Sequence, residues 1–128
     1  MVIDTSAIVA ILEQEPEGER FARLVADSVH VRISAVTLVE AGMVMHGRRA
    51  SGQTDVRLLV EEAGIEVVPV DHAQALLALD AFARYGKGQH PAKLNLGDLF
   101  SYALARHLGE PLLFKGADFA ATDIPRAL

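Results

Sequence analysis

Apolar residues along the chain follow two alternating rhythms. Short, mostly apolar runs at Met1–Asp4, Val29–Ile33, Ile65–Val70 and Pro111–Phe114 are too brief for helices and rich in β-branched or bulky aliphatic side chains, so they read as strands. Between them, apolar residues recur at helical spacing. Ala7, Ile8, Ile11 and Leu12 form one such set, with Thr5 or Ser6 suited to cap it. After a break at Gln14–Gly18, Phe21, Leu24 and Val25 define a second helix, amphipathic against Glu19, Arg20, Arg23 and Asp27. Ser34 can cap a third helix through about Met45, and a turn-prone stretch, His46–Gly52, leads to a fourth at Val56, Leu59, Val60 and Ala63, which Gly64 can end. Asp71 suits the N-cap of a fifth, marked by Leu76, Leu79, Phe82 and Ala83. Arg84–Lys93 reads as a loop, followed by a nearly all-apolar helix from Leu96 to Leu108 that ends near Gly109.

Strands alternating with helices predict an α/β fold, because parallel neighbours need crossover connections and helices supply them. The expected architecture is a three-layer sandwich with a central, mostly parallel sheet flanked by helices. At 128 residues, without internal repeat, low-complexity tract or linker, the chain reads as one domain, 1–128.

Composition narrows the chemistry. No apolar run reaches the roughly 20 residues that cross a bilayer, and no export signal opens the chain, so a cytoplasmic protein without membrane contact is expected. There is no cysteine, which removes disulfides, thiolate metal sites and cysteine nucleophiles. Any metal would be held by oxygen or imidazole. With 17 acidic against 12 basic residues, a net charge of −5 argues against holding nucleic acid by bulk charge alone. The five histidines are scattered without metal-ligand or triad spacing, and no glycine-rich phosphate loop follows the first strand, so neither ATP nor a dinucleotide is expected.

The informative residues are carboxylates. In open parallel sheets functional groups gather beyond the carboxyl ends of the strands, which is where Asp4 and Asp118 belong despite their separation in sequence. Singly, Asp4 equally suits a helix cap and Asp118 a turn. A helical projection sets Glu40 on an apolar face with Val36, Met43 and Val44, where an inward carboxylate needs a proton, a cation or a metal. Asp98 opens the most apolar helix, and there its charge also opposes the helix dipole. Four converging carboxylates repel unless compensated, and an all-oxygen donor set suits Mg²⁺ or Mn²⁺ and hence phosphoryl transfer.

The segments MVIDTSAIVAIL, ISAVTLVEAGMV, LNLGDLFSYALA and LLFKGADFAATDI, in this order over essentially the whole chain, resemble PIN-domain ribonucleases of the VapC toxin type. The resemblance places the family's acids at Asp4, Glu40, Asp98 and Asp118, with Asp123 as an auxiliary metal contact. It assigns Thr5, Ser6 and Asn95 as neighbours that position metal or phosphate, although capping and turn roles suit all three. It implies Mg²⁺-dependent endonucleolytic RNA cleavage, with Mn²⁺ as substitute, by a metal-activated water that leaves 5′-phosphate and 3′-hydroxyl ends. It further implies a homodimer, and inhibition by a separately encoded VapB-type antitoxin in a toxin–antitoxin hetero-oligomer.

Between Ala81 and Gly97 there is no acid, whereas Arg84, Lys87 and Lys93 supply positive charge, so this loop is a candidate RNA contact. Arg48, Arg49 and Arg57 form a second basic candidate. Apolar positions near Phe21, Leu24, Val36 and Met43 are candidates for a dimer contact or an antitoxin groove, with a basic antitoxin side chain expected toward Glu40 and Asp98. Two other readings stand beside this one. A PIN-like module that binds RNA or a partner without cutting is disfavoured by the presence of all four acids. A receiver-like phosphoacceptor domain would explain Lys115 after a late strand, but lacks the adjacent acidic pair after the first.

Overall fold

Four parallel strands, β1 (Val2–Ile3), β2 (Arg32–Ser34), β3 (Glu66–Val68) and β4 (Leu112–Leu113), pair in the order β3-β2-β1-β4. They are connected through α1 (Thr5–Leu12), α2 (Gly18–Asp27), α3 (Ala35–Arg48), α4 (Gly52–Glu62), α5 (His72–Tyr85) and α6 (Leu96–Leu108). The structure is a computed structural model and describes residues 1–88 and 90–128. Among them, no helix is long and apolar enough to cross a membrane.

Strand alternation divides the core in two. Val2 and Leu112 point to one face, where they pack with Leu99, Ala103 and Leu104 of α6 and with Ala78 and Ala81 of α5. Ile3 and Leu113 point to the other, into a cluster built from α1 to α4 with Ile8, Phe21, Ala41, Met45 and Val56. The central strand β1 is therefore apolar throughout and wholly buried, as a parallel strand covered on both faces must be. This is the three-layer α/β architecture that the alternation predicted.

Several boundaries and faces differ from the sequence reading. β2 begins only at Arg32, which pairs in register with Val2 and Glu66, and Val29 is 93% exposed outside it. Asp4, rather than Thr5 or Ser6, caps α1, because its carboxylate sits where the first free N–H groups emerge. Phe21 is a core residue rather than part of a surface patch. The α5 helix continues through Arg84 to Tyr85, so the loop starts later than expected; the loop reading also takes in residue 89, which lies outside the described residues. On that helix Ala78, Ala81 and Tyr85 face inward, leaving Leu76, Leu79 and Phe82 exposed, because small side chains let α5 approach α6 closely. The C-terminal segment lies along β4, with Leu112 N–H donating to the Pro125 carbonyl and Ala127 N–H to that of Leu112, which covers the sheet edge.

The α3–α4 corner is set by a close backbone approach. A Cβ on Gly52 would stand 2.0 Å from the Met45 carbonyl oxygen, so only glycine fits. Gly52→Ala is expected to lower stability by about 1–3 kcal/mol, read from the urea midpoint.

Candidate active site

The carboxyl ends of β1, β2 and β4 open on one edge, and the chain places its acids there. Asp4 follows β1 directly, held by its own N–H donating to the Leu113 carbonyl at 3.0 Å. Its Oδ2 accepts from the Ser6 N–H at 3.0 Å and the Ser6 hydroxyl at 2.7 Å, and its Oδ1 from the Ser101 hydroxyl at 2.6 Å. Ser101 in turn meets Thr37 Oγ1 at 3.0 Å. Asp4 is thus both helix cap and fixed acid, with each carboxylate oxygen tied to a different helix.

Glu40 comes from α3 and accepts from Thr5 Oγ1 at 2.5 Å. Burial, reinforced by the charge of Asp4, raises its pKa, while the Thr5 hydrogen bond opposes the shift. Asp98 sits in the first turn of α6, in a reciprocal capping box: its N–H donates to Asn95 Oδ1 at 2.9 Å, and its Oδ2 accepts from the Asn95 N–H at 3.0 Å. Burial pushes the Asp98 carboxyl up to about 7, with the charges of Asp4, Asp118 and Glu40 adding to the effect.

Asp4, Glu40 and Asp98 line one open cavity of about 410 Å³ together with Thr5, Ser6, Glu15, Arg48, Asn95 and Lys115. Gly97 makes the convergence possible, since a Cβ there would fall 1.7 Å from Glu40 Oε2. Asp118 is exposed and does not line the cavity, yet its charge is felt at Asp98. Asp123 lies elsewhere. It accepts from the Tyr102 hydroxyl and pairs with Arg84 and Arg106, which together hold its carboxyl below the usual range against the effect of burial. The structure thus places Asp123 and Arg84 together in a cluster with Tyr102 and Arg106, outside the cavity lining. Lys87 and Lys93 are exposed and outside the cavity lining, whereas Thr5, Ser6 and Asn95 line it.

Sequence reasoning passes over Ser101, Thr37 and Glu15 and gives Lys115 no role in this site, whereas Arg48, from the second basic candidate, lines the cavity. Ser101 was detectable: it lies three residues after Asp98, hence on the same helix face, as a hydroxyl on an otherwise apolar helix. Ser101→Ala would leave a buried carboxylate oxygen without its donor, and is expected to cost about 1–3 kcal/mol in thermal or denaturant unfolding.

The donor set also bears on a metal. Among the described residues no three of His, Asp and Glu are drawn together tightly enough to form a ready-made cage. Three carboxylates nevertheless share one cavity, and burial together with the neighbouring acids raises the pKa of Glu40 and Asp98, a cost that a cation relieves. Mg²⁺ keeps several waters and needs only one or two carboxylates, so the residues fit it. Burial of Asp98, with the neighbouring charges adding to it, predicts a pH effect in metal-free protein. Because the Asp98 pKa is raised on folding, the folded state binds more protons than the unfolded state between about 4 and 7, and stability falls as pH rises through that window. Melting temperatures in chelator across this window should fall less with pH for Asp98→Asn than for wild type; parallel curves would contradict the shift.

Comparison with known proteins identifies the family. The PIN domain family model matches residues 1–125. Ribonuclease VapC30 of Mycobacterium tuberculosis is 46% identical over 126 residues, covering 97% of this chain and 95% of the relative. This chain is a PIN-domain protein of the VapC family. Solved structures share its fold: the M. tuberculosis VapC20 crystal structure, described as a sarcin-ricin loop cleaving toxin, superposes with a TM-score of 0.77 at 18% identity, over 96% of this chain and 95% of that one. A toxin–antitoxin complex from Klebsiella pneumoniae gives 0.70 at 21% identity, over 95% and 92%. In this PIN domain, Glu40 on a helix after β2 and a single acid ending β1 exclude the receiver-like arrangement.

Proposed function

We propose that this PIN domain is the toxin of a type II toxin–antitoxin pair, a Mg²⁺- or Mn²⁺-dependent endoribonuclease that hydrolyses RNA phosphodiester bonds with an activated water. The observation that carries the reading is the convergence of Asp4, Glu40 and Asp98 in one open cavity, where burial and neighbouring charge raise the pKa of Glu40 and Asp98 and a cation would favour their ionised forms. Asp4, Glu40 and Asp98 would hold the metal, with Asp118 at the rim. Bound there, the ion supplies a Lewis acid that orients the scissile phosphate and acidifies a water. The chain's own part is preorganisation. Ser6 and Ser101 fix both Asp4 oxygens, Thr5 fixes Glu40, and the Asn95 N–H fixes Asp98, so the acids need little rearrangement when substrate arrives. The 46% identity to a named VapC ribonuclease supports the activity, and the acid-lined cavity of this chain favours cutting over binding alone.

The partner expected from this reading is a VapB-type antitoxin, in keeping with the likeness of fold to a toxin–antitoxin complex. A groove between α3 and α4, lined by Leu38, Val39, Met43 and Val56, leaves Val39 60% and Met43 68% exposed, and suits an antitoxin helix. The exposed apolar face of α5 suits a homodimer contact. An antitoxin arginine at Glu40 and Asp98 would take the metal's electrostatic place, so inhibition should weaken as Mn²⁺ is raised. Sequencing RNA ends after brief expression in cells, beside Asp98→Asn, tests the function: discrete new 5′-phosphate ends with wild type only support it, and identical end profiles overturn it.

A further inference from the structure

The acid-lined cavity has a basic rim whose charge is stored rather than free. Lys115 follows β4, and its N–H donates at 3.0 Å to the Ser6 hydroxyl, the same hydroxyl that donates to Asp4 Oδ2. The lysine backbone is thus joined to the acid at the end of β1 through one side chain. Its ammonium meets Glu15 Oε2 at 2.6 Å and Glu17 Oε1 at 2.9 Å, both on the turn between α1 and α2. Lys115 and Glu15 line the cavity, and Glu17 does not.

Two features separate this cluster from a purely structural ion pair. It carries two carboxylates for one ammonium, and Glu17 Oε1, although buried, makes no well-directed hydrogen bond. All three side chains are about one-third exposed, a setting in which ion pairs contribute little and exchange partners readily. Among the described residues, moreover, the cavity lining presents Asp4, Glu15, Glu40 and Asp98 against two cations, Arg48 and Lys115, for an incoming phosphodiester to meet. Arg48, at the end of α3, has no salt bridge among the described residues. Lys115 has a flexible four-carbon stem that can carry its ammonium from the glutamates to a phosphate without moving the backbone.

We propose that Lys115 is a substrate-phosphate contact of this site, held in reserve by Glu15 and Glu17 and released to the RNA backbone when substrate enters. This rests on the ribonuclease reading. The two glutamates then act as competitors for the lysine, which limits adhesion of free protein to RNA. A structural role predicts that removing a glutamate weakens the protein; a reserve role predicts that it strengthens RNA binding.

The test measures binding of a fluorescent, mixed-sequence single-stranded RNA across a salt series in excess EDTA, together with Mn²⁺-supported cleavage and melting temperature. Lys115→Met should weaken binding about tenfold and reduce the slope of log affinity against log salt by about 0.7, the loss of one phosphate contact. Lys115→Arg should retain the slope, and Glu17→Gln should bind RNA several-fold more tightly than wild type. A wild-type slope in Lys115→Met, or weaker binding by Glu17→Gln, while wild type cleaves RNA, overturns the role of Lys115 alone. Absence of any cleavage by wild type overturns the ribonuclease reading and this inference with it.

Discussion

Asp4→Asn, Glu40→Gln and Asp98→Asn should each reduce Mn²⁺-supported RNA cleavage by at least about 10²-fold while leaving circular dichroism nearly unchanged. Each replacement keeps shape and removes charge. Asn at position 98 can still accept from the Asn95 N–H, so the α6 capping box survives, and in metal-free protein the loss of a repelled carboxylate should leave the melting temperature no lower than wild type. Added Mn²⁺ should then raise the melting temperature of wild type more than that of Asp98→Asn, through preferential binding to the folded state. Asp118→Asn should show a smaller loss, about tenfold, because Asp118 is exposed and reaches the site only through its charge. Equal Mn²⁺-induced shifts in wild type and Asp98→Asn would remove Asp98 from the metal site.

Gly97→Ala is expected to abolish cleavage about as completely as removal of an acid, with little change in stability. The new methyl group would occupy the position of Glu40 Oε2, and what must yield is the end of a flexible side chain, not backbone. Glu40 can swing away at small cost, since its cavity is open, but doing so breaks its hydrogen bond to Thr5 and its convergence with Asp4 and Asp98. Alanine is also the better helix former, which offsets part of the strain. Melting temperature and cleavage rate should therefore separate: a variant that melts near wild type yet fails to cut supports the close approach, and full activity would contradict it.

The acids and Gly97 differ in how far the sequence reveals them. The acids were legible in the sequence, because strand-to-helix turns put Asp4 on a known edge and helical projection turned Glu40 inward. Gly97 was not, since a glycine beside Asp98 says nothing of a glutamate 57 residues earlier until the helices are packed. The α5 helix shows the same limit. Its apolar spacing announced a helix, but with apolar residues on both faces the pattern did not determine that Ala78 and Ala81 would turn inward and Leu79 outward. The pairing of Asp123 with Arg84 was hidden for a related reason: each charge looks available in sequence, and only the packed structure brings both to Tyr102 and Arg106. Lys115 fits a receiver-like pocket in the sequence, and only the packed structure sets it in the cavity beside the acids.

The claim that these acids form a metal-dependent ribonuclease site is tested most directly with purified wild-type protein and a structured RNA, titrating Mn²⁺ into chelator and mapping product ends. The account predicts no cleavage until Mn²⁺ exceeds chelator, then discrete cuts that leave 5′-phosphate and 3′-hydroxyl ends. Undiminished cleavage in excess EDTA would contradict it.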